Sequence, residues 1–385
     1  MKRFSALLAA FLVLIPLPAA AQPAVLTVDA PALALSCPSS ILMEKETGTI
    51  LYEQDAHAKL EPASVTKVMT LLLIMEAVDS GRISMDDTVT VSAYAAGMGG
   101  SQVYLKEGEQ MSVSEMVKCV TVVSGNDCAV ALAEHIAGSE SAFVTLMNQR
   151  AAELGMKDTT FLNCTGLPAQ GHVTSAYDIA LMSRELVLNH SSIRTFATIW
   201  MDSIRNGEFG LTNTNRLVRF YPGATGLKTG STDSALYCMT ATAERDGMEL
   251  IAVVMKAPTT AQRFEDAKAL LDYGFANYAL TTVYPDAPLA PVEVLLGSVD
   301  HVQPQLQRSC RLLVRKGEEG SITTRLSLCE NVEAPVDAGQ TLGQLEVYVG
   351  EELRDTIPVL SAQSVERLSI PDLFSRLLRQ LLMAP

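Results

Sequence analysis

Along the chain, apolar positions come first in short strand-like runs, then in long helical stretches, then in alternating strands, and last on one face of a helix. The first runs, on either side of Thr47-Gly48, predict a hairpin over Leu42–Tyr52. From Pro62 to Val78 the spacing predicts a helix with Pro in its first turn. Val68, Met69, Leu71, Leu72, Leu73 and Ile74 cover nearly every face of it. A helix that is apolar all round is buried. Further helices are expected at Val113–Val123, Asp127–Ala137, Ser139–Leu154 (capped by Ser139, closed by Gly155) and Ala176–Leu188. Strands return at Ser234–Thr242 and Leu250–Met255, followed by a helix at Ala261–Ala279. Strands that open and close a helical middle predict an α/β domain with one antiparallel sheet and a helical cluster.

The composition shifts near Pro285–Pro291. Beyond it, short alternating runs at Val292–Leu296, Cys310–Val314, Thr323–Leu328 and Thr341–Val349 predict a small all-β domain of sandwich or barrel type. The last stretch, Ile370–Met383, reads as an amphipathic helix. Leu373, Phe374, Leu377, Leu378, Leu381 and Leu382 share one face, Arg376, Arg379 and Gln380 the other, and Pro371 with Asp372 makes the first turn. It is too short and too charged to span a bilayer, but it suits the headgroup plane of a membrane surface. A helix docking its leucines on the β domain is the alternative. The expected divisions are thus 1–21, 22–285, 290–367 and 368–385.

Residues 1–21 change where the rest is expected to act. Lys2 and Arg3, an apolar run from Phe4 to Leu17, Pro18 and then Ala19-Ala20-Ala21 form the pattern of a secretory signal peptide cleaved after Ala21. An uncleaved N-terminal anchor is the alternative. Secretion places the mature protein outside the cytoplasmic membrane, peripheral on its outer face through the terminal helix. The 48% hydrophobic and 19% charged content excludes a largely disordered chain. The net charge of −14, which becomes 27 − 43 = −16 without Lys2 and Arg3, excludes nucleic acid as a partner. An oxidising compartment permits disulfides, but 7 cysteines leave at least one thiol unpaired. Cys119 and Cys128 read as buried small hydrophobes, whereas Cys310 and Cys329 flank strand runs and are the expected bridge.

Several chemistries are absent from the sequence. It contains no G-x-S-x-G elbow, H-E-x-x-H, P-loop, dinucleotide fingerprint or C-x-x-C, so neither a metal nor a cofactor is expected. His57, His135, His172, His190 and His301 show no ligand spacing and read as surface or loop residues. One constellation remains: Ser64-Val65-Thr66-Lys67 at the head of the buried helix, Ser124-Gly125-Asn126 between two helices, and Lys228-Thr229-Gly230 before a strand. Lys67 is the only lysine with Ser three residues before it, and Asn126 the only asparagine with Ser two before it. Each motif alone is weak; the three in this order are specific.

The chemistry explains the residue types. A serine hydroxyl needs a base, and residues i and i+3 on a helix share a face, so Lys67 can take the Ser64 proton. Burial with Lys228 nearby favours the neutral amine. Ser124 and Asn126 can relay protons and hold a substrate amide. Lys228 and Thr229 suit a terminal carboxylate, and Gly230 permits close backbone approach at the edge of the following strand. The N–H of Ser64, with one from that strand, suits an oxyanion hole. Arg263, at a helix start, is either a further carboxylate ligand or a surface ion-pair partner.

Ala63–Thr70, Ser124–Asp127 and Gly226–Gly230 make the chain resemble the serine D-alanyl-D-alanine carboxypeptidases, the low-molecular-mass penicillin-binding proteins. The similarity runs on through Phe161-Leu162-Asn163, Gly166-Leu167, Ser175–Asp178, Asn213-Thr214-Asn215 and Arg263-Phe264, and includes the β domain and terminal helix. The resemblance implies a β-lactamase/transpeptidase-like fold. It also implies attack by Ser64 on the bond between the last two D-alanines of a peptidoglycan stem pentapeptide, hydrolysis of the acyl-enzyme, and trapping by β-lactam antibiotics. Ser231, Thr214 and Cys164 stand where relatives often carry His or Tyr, Arg, and Pro. A D,D-endopeptidase is contained within the same chemistry. A class A β-lactamase would need a deacylating Glu-x-x-x-Asn, which Phe161–Cys164 does not supply. A non-catalytic wall-binding or β-lactam-sensing module would not need Ser64, Lys67 and Lys228 together.

Overall fold

The computed structural model describes residues 33–383; the expected signal peptide and cleavage site lie outside them. Strands β1 (Ser39–Glu44) and β2 (Ile50–Gln54) form the expected hairpin. The buried Glu44 carboxylate closes its turn, accepting from the backbone of Glu46 and Thr47 and from the Thr47 hydroxyl. These strands join β3 (Ala224–Thr232), β4 (Leu236–Arg245) and β5 (Met248–Ala257) in one antiparallel sheet ordered β2-β1-β5-β4-β3.

Strand alternation sends successive residues to opposite faces, and both faces are covered. Ile41, Met43, Ile251, Val253 and Met255 meet a helical cluster. Leu42, Leu250, Ala252 and Val254 meet Phe264, Ala267, Leu270 and Leu271 of a helix over Thr260–Asn277. The cluster surrounds α1 (Lys67–Asp79), in which every residue from Lys67 to Met75 is buried. Around it lie α2 (Val113–Val122), α3 (Asn126–Ala137), α4 (Glu140–Glu153) and α5 (Ala176–Asn189). Ser139 and Ser175 cap α4 and α5 through their hydroxyls.

Three expectations change. The helix from Pro62 is not continuous: Ala63–Thr66 forms a 3₁₀ turn, entered through a left-handed Ala63, and the α-helix starts at Lys67. Lys228-Thr229-Gly230 does not precede the edge strand but lies within it, since β3 ends the sheet and β4 is interior. The expected Cys310–Cys329 bridge is not formed. Cys310 is buried opposite Val283, Cys329 is exposed, and every described cysteine is free. Cys119 and Cys128 are buried, as their apolar setting implied.

The helix ending at Asn277 runs directly into a strand, Tyr278–Val283, that pairs with Cys310–Arg315. The proline-rich segment therefore follows the first strand of the β region rather than preceding it. Beyond it lie a four-stranded sheet (304–306, 352–361, 341–349, 322–328 in spatial order) and a three-stranded one (301–302, 292–295, 331–333). Strand 292–295 lies within the expected run at Val292–Leu296, whereas the strands of two or three residues at 301–302, 304–306 and 331–333 leave no period to detect. A last helix covers Ile370–Met383, its Asp372 N–H donating to Ser369 Oγ. Ile370, Phe374, Leu378 and Leu382 are 84, 67, 47 and 77% exposed, so these side chains do not dock on the β domain.

Candidate active site

The site forms where the 3₁₀ turn, the start of α3, a loop at residues 163–167 and strand β3 converge. In a 3₁₀ turn residues i and i+3 eclipse. Lys67 Nζ accordingly lies 3.1 Å from Ser64 Oγ. The same amine donates to Asn126 Oδ1 at 2.5 Å and to the Thr165 carbonyl at 2.6 Å. Both partners are acceptors only, so they take up N–H bonds and leave the Ser64 hydroxyl as the group that can meet a lone pair. Burial pushes the Lys67 amine down to about 7, against the opposing pull of Cys164 and Asp127. A neutral amine is thus accessible near physiological pH.

Two glycines from distant segments hold the nucleophile's turn. A Cβ on Gly166 (φ +81°) would lie 1.8 Å from the Ala63 carbonyl oxygen, and one on Gly230 would lie 2.8 Å from Ser64 N. The Gly230 side chain is therefore excluded by the turn itself, a different reason from the substrate approach expected from sequence. Asn163 shapes the loop before Gly166. Its Oδ1 accepts from Gly166 N at 2.7 Å and from Thr165 N and Oγ1, and its Nδ2 donates to Leu167 O. This Asx turn aims the Thr165 carbonyl at Lys67.

Asn126 is fixed from its other end, donating to Gly99 O from Nδ2 and to Ser101 O from its backbone, both at 2.7 Å. Ser124 sits in a left-handed conformation (φ +65°), and its buried hydroxyl has no partner among the described residues. Strain and an unsatisfied polar atom coincide on a residue already singled out by its motif, which marks it as poised for a ligand.

Along β3, Lys228 is buried and donates to the Thr229 carbonyl at 2.8 Å. Burial, then repulsion from Lys67 and Arg263, drives its amine well below the usual lysine range. The Thr229 hydroxyl donates to Thr214 Oγ1 at 2.7 Å. Asn215 Nδ2 reaches Gly226 O, and Thr214 N reaches Val122 O, so the Asn213–Asn215 segment ties β3 to the end of α2. Arg263 is buried, not a surface ion-pair partner. It donates to Gly230 O and Cys238 O, lies over the rings of Phe264 and Tyr237, and leaves Nε unpartnered among the described residues. Burial lowers it to about 10.

The structure therefore brings Ser64, Lys67 and Asn126 into contact, with Ser124 two residues before Asn126, places Lys228, Thr229 and Gly230 on the neighbouring edge strand, and sets Arg263 against that strand from the helix over Thr260–Asn277. Sequence reasoning missed the Thr165 carbonyl, Asn163 as its aiming device, and Thr214 as the partner of Thr229. A backbone acceptor carries no residue signature; Asn163 three residues before a glycine was the available signal. His172, in a loop as read, is buried between Thr66 Oγ1 and Leu162 N, and burial lowers it to about 4, so it stays neutral and structural. Glu76, Glu185 and His190 converge closely enough to suggest a metal, but Arg150 already bonds both carboxylates.

Comparison with known proteins agrees with this geometry. Residues 24–259 match the family described as D-alanyl-D-alanine carboxypeptidase, and residues 278–367 match the C-terminal domain of penicillin-binding protein 5. The chain is 42% identical to the D-alanyl-D-alanine carboxypeptidase DacF of Bacillus subtilis, over 87% of each chain. It is 33% identical to DacC of Escherichia coli over 88% of this chain and 86% of that one. The structure of penicillin-binding protein 5 from Haemophilus influenzae superposes with a TM-score of 0.76 at 28% identity, covering 89% of this chain and all (100%) of that one. The ampicillin-bound penicillin-binding protein D2 of Listeria monocytogenes superposes at 0.59 with 33% identity, over 64% of this chain and 100% of that one. With a family match across most of its length and the three motifs assembled around one amine, the chain belongs to the D-alanyl-D-alanine carboxypeptidases of the serine peptidase S11 family.

Proposed function

We propose that the family's activity is carried here by Ser64 as acyl acceptor and Lys67 as its base. The observation that carries this is the Lys67 amine, buried, lowered to about 7, and held by two acceptor oxygens opposite Ser64 Oγ. Ser64 Oγ attacks the carbonyl of the penultimate D-alanine of a stem pentapeptide as its proton passes to Lys67. The Ser64 N–H and an N–H of β3 face the developing oxyanion. The leaving D-alanine amine receives a proton through Ser124, whose hydroxyl is unengaged. Water then attacks the ester, with Lys67 again as base, and Ser64 is regenerated. Asn126 holds the Lys67 amine and the substrate amide. The Thr229 hydroxyl meets the terminal carboxylate, while Lys228 and Arg263 raise the positive potential behind the strand. A β-lactam presents the same acyl group and carboxylate, and would be held at Ser64 as an ester.

The exposed apolar residues of the terminal helix support a peripheral place on a membrane, with the enzyme outside the cytoplasm. Among the described residues no helix is long and apolar enough to cross a membrane. Incubating protein beginning at residue 22 with an acyl-D-Ala-D-Ala peptide should release D-alanine, and fluorescent penicillin should label it. Release or labelling that survives Ser64→Ala would overturn the assignment. Truncation after Ser369 should abolish vesicle binding and leave D-alanine release unchanged; vesicle binding that persists removes the anchor.

A further inference from the structure

The loop at residues 163–167 belongs to no helix or strand, so side chains must satisfy and orient its peptide groups one at a time. Just before it, Phe161 N donates to Asn148 Oδ1 and Leu162 N to His172 Nδ1. Within it, Thr165 N and Gly166 N both donate to Asn163 Oδ1. These acceptors are neutral. Cys164 N differs, donating to a carboxylate, Glu140 Oε1, at 3.0 Å. A hydrogen bond to an ionised acceptor is about twice as strong as a neutral one.

Glu140 is the first residue of α4 and belongs to none of the three motifs. Its other oxygen, Oε2, accepts from the Tyr94 hydroxyl at 2.6 Å, which ties the carboxylate to the short helix Ala93–Ala96. That bond pushes the Tyr94 hydroxyl up to about 12, so it remains a donor. The far side of Cys164 is held as well, its carbonyl accepting from Thr70 Oγ1 at 2.7 Å. Thr70 follows Lys67 by three residues on α1, so the two side chains leave the same face. Cys164 is therefore clamped at both its backbone groups. The next carbonyl along the chain is that of Thr165, which takes the Lys67 amine at 2.6 Å.

The geometry points to Glu140 as a positioning residue for acylation: with Thr70 it fixes Cys164 so that the Thr165 carbonyl aims the Lys67 amine at Ser64. It acts through the loop and rests on the reading of Lys67 as base. Without the clamp the carbonyl drifts and the amine loses an acceptor. Hydrogen bonds from an ammonium are stronger than those from a neutral amine, so the loss falls mainly on the charged form. The aim of the base and its affinity for a proton should decline together. The titratable groups facing the amine are Cys164, Asp127 and Lys228. A change at Glu140 leaves the latter two in place, and burial keeps the Cys164 thiol neutral.

The test is stopped-flow acylation by penicillin between pH 5 and 9. In Glu140→Ala the plateau rate should fall about 10–10²-fold, the scale of a misplaced catalytic group, with affinity for the initial complex unchanged. The midpoint of the pH profile should move below that of wild type. Glu140→Gln keeps an oxygen that accepts from Cys164 N and should restore most of the rate. Thr70→Val removes the opposite clamp and should also slow acylation. The two losses should combine to less than their product in the double variant, because both act on one residue. Wild-type rates in Glu140→Ala, or Glu140→Gln as slow as Glu140→Ala, overturn the proposal. So does a midpoint that rises toward the ordinary lysine range, since that means the site has opened to water. Lys67→Ala run alongside separates the two claims. Full acylation there removes Lys67 as base, whereas a slow Lys67→Ala beside an unimpaired Glu140→Ala overturns the positioning role alone.

Discussion

Strand β3 touches two clusters of buried charge, and they are built in opposite ways. At Thr225 the strand meets Glu249, 1% exposed, which is surrounded by Lys45 at 3.0 Å, Arg194, and the Thr225 hydroxyl at 2.7 Å. Three residues on, Lys228 is as deeply buried, with Lys67 and Arg263 as its charged neighbours and no carboxylate in ion-pair contact among the described residues. The first cluster compensates its charge and joins the hairpin, the Arg194 turn and β3. The second gathers three cations and satisfies them with neutral oxygens, so that their proton affinities fall. A compensated buried charge holds a fold together; an uncompensated one is tolerated where chemistry uses it.

The sharpest break between the two clusters is activity. Ser64→Ala should abolish both D-alanine release and penicillin labelling, read by product assay and gel fluorescence. Lys67→Ala should lower acylation by about 10²–10⁴-fold, the usual worth of general-base assistance. Full acylation in this variant would assign the base elsewhere.

Acylation should also follow the protonation of Lys67. The amine is a base only when neutral, and its position near 7 means that the rate falls about tenfold per pH unit below pH 7 and levels off above it. Stopped-flow acylation by penicillin between pH 5 and 9 measures this. A flat profile would mean that the burial seen here does not set the base.

Glu249→Gln probes the other cluster. It keeps the shape and removes the charge that balances Lys45 and Arg194. The expected loss is about 2 kcal/mol, below the about 3–5 of a fully enclosed pair, because Arg194 keeps 30% of its side chain exposed. The melting temperature should drop by about 4–8 °C, with acylation at 20–25 °C unchanged. A large loss of acylation with no change in melting would make Glu249 part of the site.

What the sequence made legible divides along the same line. Ser64 and Lys67 are three residues apart, and Ser124 and Asn126 two, so their motifs were visible as local spacing. The all-apolar face of α1 announced its burial. The Glu249 cluster was not legible, because its partners lie at positions 45, 194 and 225, and no spacing links them. The same holds for the Thr165 carbonyl, 98 residues from Lys67, and for Arg263, whose apolar cover of Phe264 and Tyr237 is formed only by the fold. Placing Lys228 before a strand rather than inside one had a physical source too. Lys228-Thr229-Gly230 carries polar and small residues that read as a loop, yet the buried 3₁₀ turn covers one side of them and needs the glycine.

The smallest expected effect tests the cost of the uncompensated cluster. Lys67→Met keeps the volume of the side chain and removes the amine. It loses the amine's three hydrogen bonds and the desolvation penalty together, so its net effect at one pH is small, but the pH dependence has a fixed sign. Lys67 holds its proton up to about pH 7 in the fold and up to about 10.4 in the unfolded chain. Between these values the unfolded state binds more protons, so wild-type stability rises with pH across that window and carries its full penalty below pH 7. The Met variant lacks this dependence. Its melting temperature relative to wild type should therefore be highest at pH 7 and below and should decline steadily toward pH 10. A difference that does not change between pH 7 and 10 would mean that the Lys67 amine stays charged in the folded protein, and that the contrast between the two clusters is one of geometry and not of protonation.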